Sequence, residues 1–202
     1  MAGEPQRHVN FLFPTVVRTA TLADPSAFNA RLEQTIADLR VRVPGDVPDS
    51  WSCTLYTTFK TANRLQMEPG FDELTAHIER EANAFARDLG LDLGNGPLTV
   101  RSCWVNIYGA GHSQEVHVHA NSLMSGVYYV KAPAGVPGLM IHSPFGDEML
   151  APEIVEQSPA TMLFDEIPAS EGGMILFRSW TRHSVRPNPV PGERISIAFN
   201  LS

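Results

Sequence analysis

The sequence predicts a single, mainly β domain of sandwich or jelly-roll type with helices laid against it, and three observations carry that reading. From residue 98 to the end, strand-forming runs alternate with clusters of Gly, Pro, Asn and Asp, giving short candidate strands and no helical period. Before residue 98, two stretches repeat apolar residues at helical spacing. No repeat, low-complexity tract or linker divides the 202 residues, whose 43% hydrophobic and 18% charged content is that of an ordinary globular domain. The expected division is a helical and strand buttress over 1–97 and a jelly-roll core over 98–202.

In chain order, 9–13 and 16–22 read as short strands around Pro14, and Asp24-Pro25 then opens a helix. Phe28, Leu32, Ile36 and Leu39 give that helix one apolar face up to about Arg42, where Pro44-Gly45 ends it. Residues 51–59 are rich in Trp, Tyr, Thr and Phe and read as a strand. Phe71, Leu74, Ile78, Phe85 and Leu89 then stripe a second helix between Gly70 and Gly90. His77 lies on the flank of that stripe and reads as structural or solvated. The remaining strands are expected at 98–108, 115–119, 125–131, 138–142, 162–164, 174–177, 183–185 and 194–201.

A net charge of −7 argues against nucleic acid or an anionic membrane surface as the main partner, since either would favour a basic patch. The first residues, MAGEPQRHVNFLF, lack a basic head followed by a long apolar run, and no stretch is long and apolar enough to cross a bilayer. Cys53 and Cys103 form no paired motif and read as reduced thiols in the core of a cytoplasmic protein.

The chemistry concentrates in WVNIYGAGHSQEVHVHANSLMSGVYYV. His117 and His119 stand two apart in a strand-forming run, so their imidazoles project to one side. That is a metal-ligand spacing, although a polar strand edge with incidental histidines would look the same. Glu115 and Asn121 share the parity of the histidines on a regular strand. A two-ligand motif needs a third member, and GGMILFRSWTRHSVRPNPVPGERISIAFN offers His183: a jelly roll returns late strands beside early ones. Arg194 follows on the last strand.

These pieces, Asn106-Ile107-Tyr108, HVHANSLMSGVYYV, ILFRSWTRHSV and GERISIAFN, resemble the Fe(II)- and 2-oxoglutarate-dependent oxygenase superfamily, specifically a group of bacterial and phage 2OG-Fe(II) oxygenases. The resemblance spans 104–200, about half the chain. It implies a double-stranded β-helix with one Fe(II) at its open end and 2-oxoglutarate as co-substrate, decarboxylated to succinate as a substrate is oxidised. Carried onto this chain, His117 and His183 are metal ligands, Arg194 and Ser196 bind the distal carboxylate of 2-oxoglutarate, and Asn106, Tyr108 and Tyr128 lie where co-substrate contacts occur, with Tyr129 the alternative to Tyr128. A forked guanidinium suits a planar carboxylate because two parallel hydrogen bonds fix position and orientation.

The chain departs from the superfamily where the usual motif is His-x-Asp: position 119 is histidine. The expected ligand set is therefore His117, His119 and His183, with Glu115, Asn121 or water as other fillers of the carboxylate position. Trp104, Tyr128, Phe177 and Trp180 are candidate walls, His112 and His142 candidate residues at the mouth, and 145–171 a long loop that could cover it. The substrate, a small molecule or a protein, is not identified by the sequence. An exposed edge strand would allow a homodimer. Two rival readings are a cupin-type three-histidine enzyme without 2-oxoglutarate, which has no use for Arg194, and a non-catalytic jelly-roll binding module, which leaves three histidines unexplained.

Overall fold

The computed structural model describes residues 6, 8–10, 12–94, 96–145 and 152–202. Two antiparallel sheets face each other. The chain runs β1 (Val17–Thr21), α1 (Ser26–Arg42), β2 (Tyr56–Thr57), one 3-10 turn (Leu65–Met67), α2 (Asp72–Asp88), β3 (Val100–Tyr108), β4 (Gln114–His117), β5 (Met124–Lys131), β6 (Leu139–His142), β7 (Phe164–Ile167), β8 (Gly173–Arg178), β9 (His183–Val185) and β10 (Arg194–Leu201). The major sheet has the order β1-β8-β5-β10-β3-β2 and the minor sheet β4-β9-β6-β7. From β3 onward the strands distribute themselves between the two sheets so that eight of them wind as a double-stranded β-helix, and β1 and β2 extend the major sheet at its two edges.

Both helices lie on the outer face of the major sheet. Phe28, Leu32, Ile36 and Leu39 of α1 and Leu74, Ile78, Ala82 and Phe85 of α2 share one buried cluster with Met124, Tyr128, Val130, Met174, Leu176, Ile197 and Phe199. Asn29 ties α1 to β5 inside that layer: its amide donates to the Val130 carbonyl at 2.8 Å, and its side-chain oxygen accepts the Tyr128 hydroxyl at 2.7 Å. Asp72 and Glu73 in the first turn of α2 favour its N-terminal dipole, and Gly90 closes the helix with a φ of 66°. His77 is buried on α2 with its Nδ1 against the Arg80 guanidinium, a structural position far in the fold from the inner face. Among the described residues no helix is long and apolar enough to cross a membrane.

Pairing registers turn the inner face of the major sheet into rows. Ser196 stands between Asn106 and Tyr129, Ala198 between Trp104 and Val127, and Asn200 between Ser102 and Ser125. The third row is polar and hydrogen-bonded throughout: Ser125 Oγ meets Ser179 Oγ at 2.7 Å and donates to Asn200 Oδ1 at 2.7 Å, while Asn200 Nδ2 donates to Ser102 Oγ at 3.0 Å.

Four sequence expectations change. The strand expected at 9–13 is not formed by its described residues; Phe13 takes a φ of 59° immediately before Pro14, whose ring disfavours a regular neighbour, and pairing starts only at Val17. The strand expected over 51–59 shrinks to Tyr56–Thr57, because Pro48 and the turn closed by Trp51 N–H to Pro48 O bend the segment across the cavity mouth. The strand expected at 162–164 instead runs Phe164–Ile167 and pairs with β6, so part of the presumed covering loop is an edge strand of the minor sheet. Of the two cysteines, Cys103 is buried, with burial pushing its thiol up to about 12, whereas Cys53 is only partly covered.

Candidate metal and anion site

His117 on β4 stands directly opposite His183 on β9, so cross-strand pairing alone brings two imidazoles together at a centroid distance of 4.1 Å. His119 lies just past β4 and is held by its backbone N–H, which donates to the Ser179 carbonyl at 2.9 Å. Its ring is 5.2 Å from that of His117 and 5.0 Å from that of His183. One ring nitrogen from each of the three lies within 4.8 Å of the others. His117 Nδ1–H donates to the Glu115 carbonyl at 2.7 Å and His183 Nδ1–H to the Thr181 carbonyl at 2.9 Å. Those bonds fix the tautomer and leave each Nε2 lone pair free, as a metal ligand requires. Burial pushes the pKa of His183 down to about 2 and that of His119 to about 4, and lowers that of His117, with neighbouring imidazoles adding to the shift of His183 and His119. All three are therefore neutral at pH 7, which is the ligating form.

Neither alternative for the missing acid joins the cluster. The strand is irregular between Gln114 and His117, which breaks the parity that a regular strand would give Glu115. Its carboxylate instead accepts the Ser52 backbone N–H and the Gln114 side-chain amide. Asn121 sits in the following loop with a φ of 60° and is exposed.

The three histidines border a cavity of about 310 Å³, and Arg194 forms its floor together with Asn106, Tyr108, Tyr129 and Ser196. Arg194 is 2% exposed. Its Nη1 donates to the Pro137 carbonyl at 2.8 Å and to the Gly138 carbonyl at 3.5 Å, and its guanidinium lies 4.1 Å from the Tyr108 ring centre and 5.6 Å from that of Tyr129. Gly138 is required where the start of β6 meets the end of β7, since a Cβ there would stand 2.0 Å from the Ile167 carbonyl oxygen. Arg194 Nε and the Tyr129 hydroxyl are both buried without a hydrogen-bond partner. Desolvation pushes the Tyr129 phenol up to about 12, so it stays a donor. Among the described residues no Asp or Glu lines the cavity.

Asn106 has its amide oriented to donate to Thr57 Oγ1 at 2.6 Å and to accept from Trp104 Nε1 at 3.2 Å. Trp104 and Phe177 line the cavity as expected walls, with Phe177 packed 4.6 Å from His183. Two expectations fail. Tyr128 points away from the cavity, into the α1 layer, because β5 alternates faces and the register opposite Ser196 selects Tyr129 for the inner side. Trp180 is 54% exposed on the β8–β9 turn and does not line the cavity. His112 Nδ1 accepts the Gly109 N–H and His142 Nε2 meets Ser184 Oγ, and both lie outside the cavity lining. The described part of 145–171 contributes no lining residue; residues 146–151 lie outside the described residues. The mouth is bordered instead by Pro48, Ser50, Trp51 and Phe59, which sequence periodicity could not associate with a site more than fifty residues away. The available signal was a proline-bounded loop carrying large aromatics.

Residues 102–200 match the family described as "Putative 2OG-Fe(II) oxygenase". No curated protein matches the chain. Among solved structures, a Pseudomonas putida prolyl-4-hydroxylase is similar over 93% of this chain and 92% of that one, at 15% identity and a TM-score of 0.60. HygX from Streptomyces hygroscopicus, solved with nickel, 2-oxoglutarate and hygromycin B, is similar over 93% and 83%, at 12% identity and a TM-score of 0.62. The epimerase SnoN, solved with Fe3+, alpha-ketoglutarate and nogalamycin RO, is similar over 93% and 78%, at 13% identity and a TM-score of 0.65. At these identities the likeness is one of fold, the jelly roll. It is residues 102–200, the half that carries all three histidines and Arg194, through which the chain belongs to the 2OG-Fe(II) oxygenase family of oxidoreductases.

Proposed function

We propose that this chain is a 2-oxoglutarate-dependent hydroxylase that holds one Fe(II) on His117, His119 and His183 and seats the distal carboxylate of 2-oxoglutarate on Arg194, Ser196 and Tyr129. The observation that carries the reading is the unpaired donor pair at the cavity floor. A buried guanidinium with a free Nε, beside a buried phenol with no acceptor and with no acid in the lining, leaves unmet donors that a bound anion would satisfy. Above it, one ring nitrogen from each of the three histidines can face a divalent metal. That HygX and SnoN hold metal and 2-oxoglutarate in the same fold supports the assignment.

When bound, Fe(II) and 2-oxoglutarate would let dioxygen act as the oxidant, one oxygen atom going to the co-substrate as it leaves as succinate and carbon dioxide and the other to a substrate C–H bond, which becomes C–OH. The protein's work is placement. Arg194 is clamped between two tyrosine rings and two carbonyls, so little is lost in ordering it when a carboxylate binds. Tyr129 and Ser196 stand side by side across the β5–β10 register and can offer hydroxyls to the same carboxylate. Asn106 is oriented by Thr57 and Trp104, and its role is to fix the cavity wall beside Ser196. Trp51, Phe59 and Trp104 screen the histidines from water at the mouth. Reduced Cys53 and Cys103 fit a reducing compartment such as the cytoplasm.

Anaerobic titration tests the reading. Fe(II) should saturate at one equivalent per chain, and 2-oxoglutarate added next should produce a visible charge-transfer band; on admitting oxygen with a substrate, succinate should form. Absence of both band and succinate would transfer the assignment to a three-histidine metalloenzyme without 2-oxoglutarate, for which Arg194 has no role.

A further inference from the structure

Resting on the oxygenase reading, we infer that the substrate presents an uncharged ring to the metal, stacked on Trp51, and that Trp51 and Phe59 set the specificity. The cavity has two unlike halves. The floor is cationic and rich in donors, whereas the outer half is built from Pro48, Ser50, Trp51, Phe59, Trp104 and Val118 around His119, with no charged side chain among the described residues. The aromatic rings form a chain of contacts from rim to ligand: Trp51 to Phe59 at 5.8 Å, tilted, Phe59 to Trp104 at 5.1 Å, edge to face, and Trp104 to His119 at 5.8 Å, tilted. A ring stacked on Trp51 at the rim therefore sits at the head of an aromatic lining that ends at a metal ligand.

Charge narrows the class. A cationic group would share a small cavity with the Arg194 guanidinium and a metal dication, and an anionic group would be desolvated against an outer half that offers it no charged side chain. Size restricts the group further. About 310 Å³ is at the lower end of ligand pockets and must also contain the co-substrate, so it encloses a single ring of a larger or smaller molecule, not a fused system. Flat aromatic surfaces favour a ring over an extended chain because a rigid face loses less rotational freedom on stacking.

The platform is held in place before anything binds. Ser52 N–H donates to the Glu115 carboxylate on the β4 side, and Trp51 N–H closes a turn on Pro48 O at 2.9 Å. On the other side Thr58 exchanges two bonds with Val105 of β3, its N–H reaching the Val105 carbonyl at 3.1 Å and its Oγ1 accepting the Val105 N–H at 3.1 Å. Trp51 remains half-buried, with area left to cover.

The test uses small probes on the anaerobic protein, with and without Fe(II) and 2-oxoglutarate, reading tryptophan fluorescence and the charge-transfer band. Cyclohexanol and N-acetylpyrrolidine should shift the tryptophan emission to the blue and move the band, and cyclohexylammonium, cyclohexanecarboxylate and hexan-1-ol should bind about tenfold more weakly. Trp51→Ala should weaken the neutral ring probes about tenfold, with Trp51→Phe recovering most of the loss. Equal binding of the charged or open-chain probes, no binding of the ring probes, or unchanged binding in Trp51→Ala would each overturn the inference. A wild type without a band sinks the oxygenase reading instead, and fluorescence of the metal-free protein then still decides whether Trp51 is a ring platform.

Discussion

Replacing Arg194 by methionine, which keeps much of the stem and removes the charge, should separate co-substrate binding from folding. Without an anion, the guanidinium rests on two carbonyls and two ring faces in a site where it is 2% exposed. Losing those carbonyl bonds costs roughly 1–3 kcal/mol and losing the ring contacts about 0.5–2 kcal/mol. Removing an uncompensated buried charge returns free energy of comparable size. Stability of the metal-free protein should therefore move by no more than about 2 kcal/mol in either direction. Binding of 2-oxoglutarate has no such offset, since its carboxylate is left facing an apolar thioether. The loss should be roughly 2–5 kcal/mol, which is tens- to thousands-fold in Kd. The assay is the anaerobic charge-transfer titration, with urea melts of the Fe(II) protein run beside it: at a concentration about a hundred times the wild-type Kd, 2-oxoglutarate should add about 2.7 kcal/mol to the wild type and at most about 0.9 kcal/mol to the variant. A variant Kd within about threefold of wild type, or Fe(II) affinity lost in parallel, would refute the role given to Arg194.

The other predictions concern the ligands and the tyrosines. His183→Ala should lose stoichiometric Fe(II) binding in the same titration while near-ultraviolet circular dichroism keeps its native form; retained binding removes His183 from the centre. His119→Asp should still bind one Fe(II), because a carboxylate is at least as good a ligand, whereas Glu115→Gln should leave stoichiometry unchanged, its carboxylate being engaged by Ser52 and Gln114. Tyr129→Phe should weaken 2-oxoglutarate by roughly tenfold through loss of one donor, and Tyr128→Phe should cost about 1 kcal/mol of stability at Asn29 with no change in 2-oxoglutarate Kd. The three ligand histidines have depressed pKa values in the folded state and ordinary ones near 6.5 when unfolded, so the unfolded chain takes up protons first on acidification. Stability of the metal-free protein should hold above about pH 7 and fall from about 6.5 toward 4, less steeply in His183→Ala; a wild type that gains stability across that window contradicts the buried, neutral histidines.

The jelly roll was legible because its strands are bounded by turn residues and because HVH and the later HSV carry the same unusual residue in strand-forming runs. The place of Arg194 at the head of the last strand was legible from the residues, while its role came only with the family resemblance. Three details were not, each for a definite reason. Alternation says that Tyr128 and Tyr129 face opposite ways, but only the register opposite Ser196, with a shift between Ile195 and Ser196, decides which one looks inward. Glu115 kept the right parity on paper and lost it to an irregularity beside His117, a local backbone event with no residue signature of its own. Trp51 and Phe59 looked like strand residues because aromatics favour strands, yet their burial comes from capping a cavity; β2 keeps only two paired residues.

The polar row on the inner sheet face bears on how fast a metal could leave. Two of the three histidines stand on paired strands, but His119 lies in a loop held at its own end by the Ser179 carbonyl and at Leu123 by bonds to Leu201 and Ser179, and Ser179 is in turn tied to Ser125, which leads on to Asn200 and Ser102. Opening that loop frees one imidazole without unpairing the sheets, so metal dissociation has a route that bypasses global unfolding, and its rate follows the local opening free energy of residues 119–123. Loosening the serine row should therefore shorten metal residence by more than its cost to global stability, about 1–3 kcal/mol per buried group left unpaired, accounts for, and amide exchange at His119 should report the same opening event.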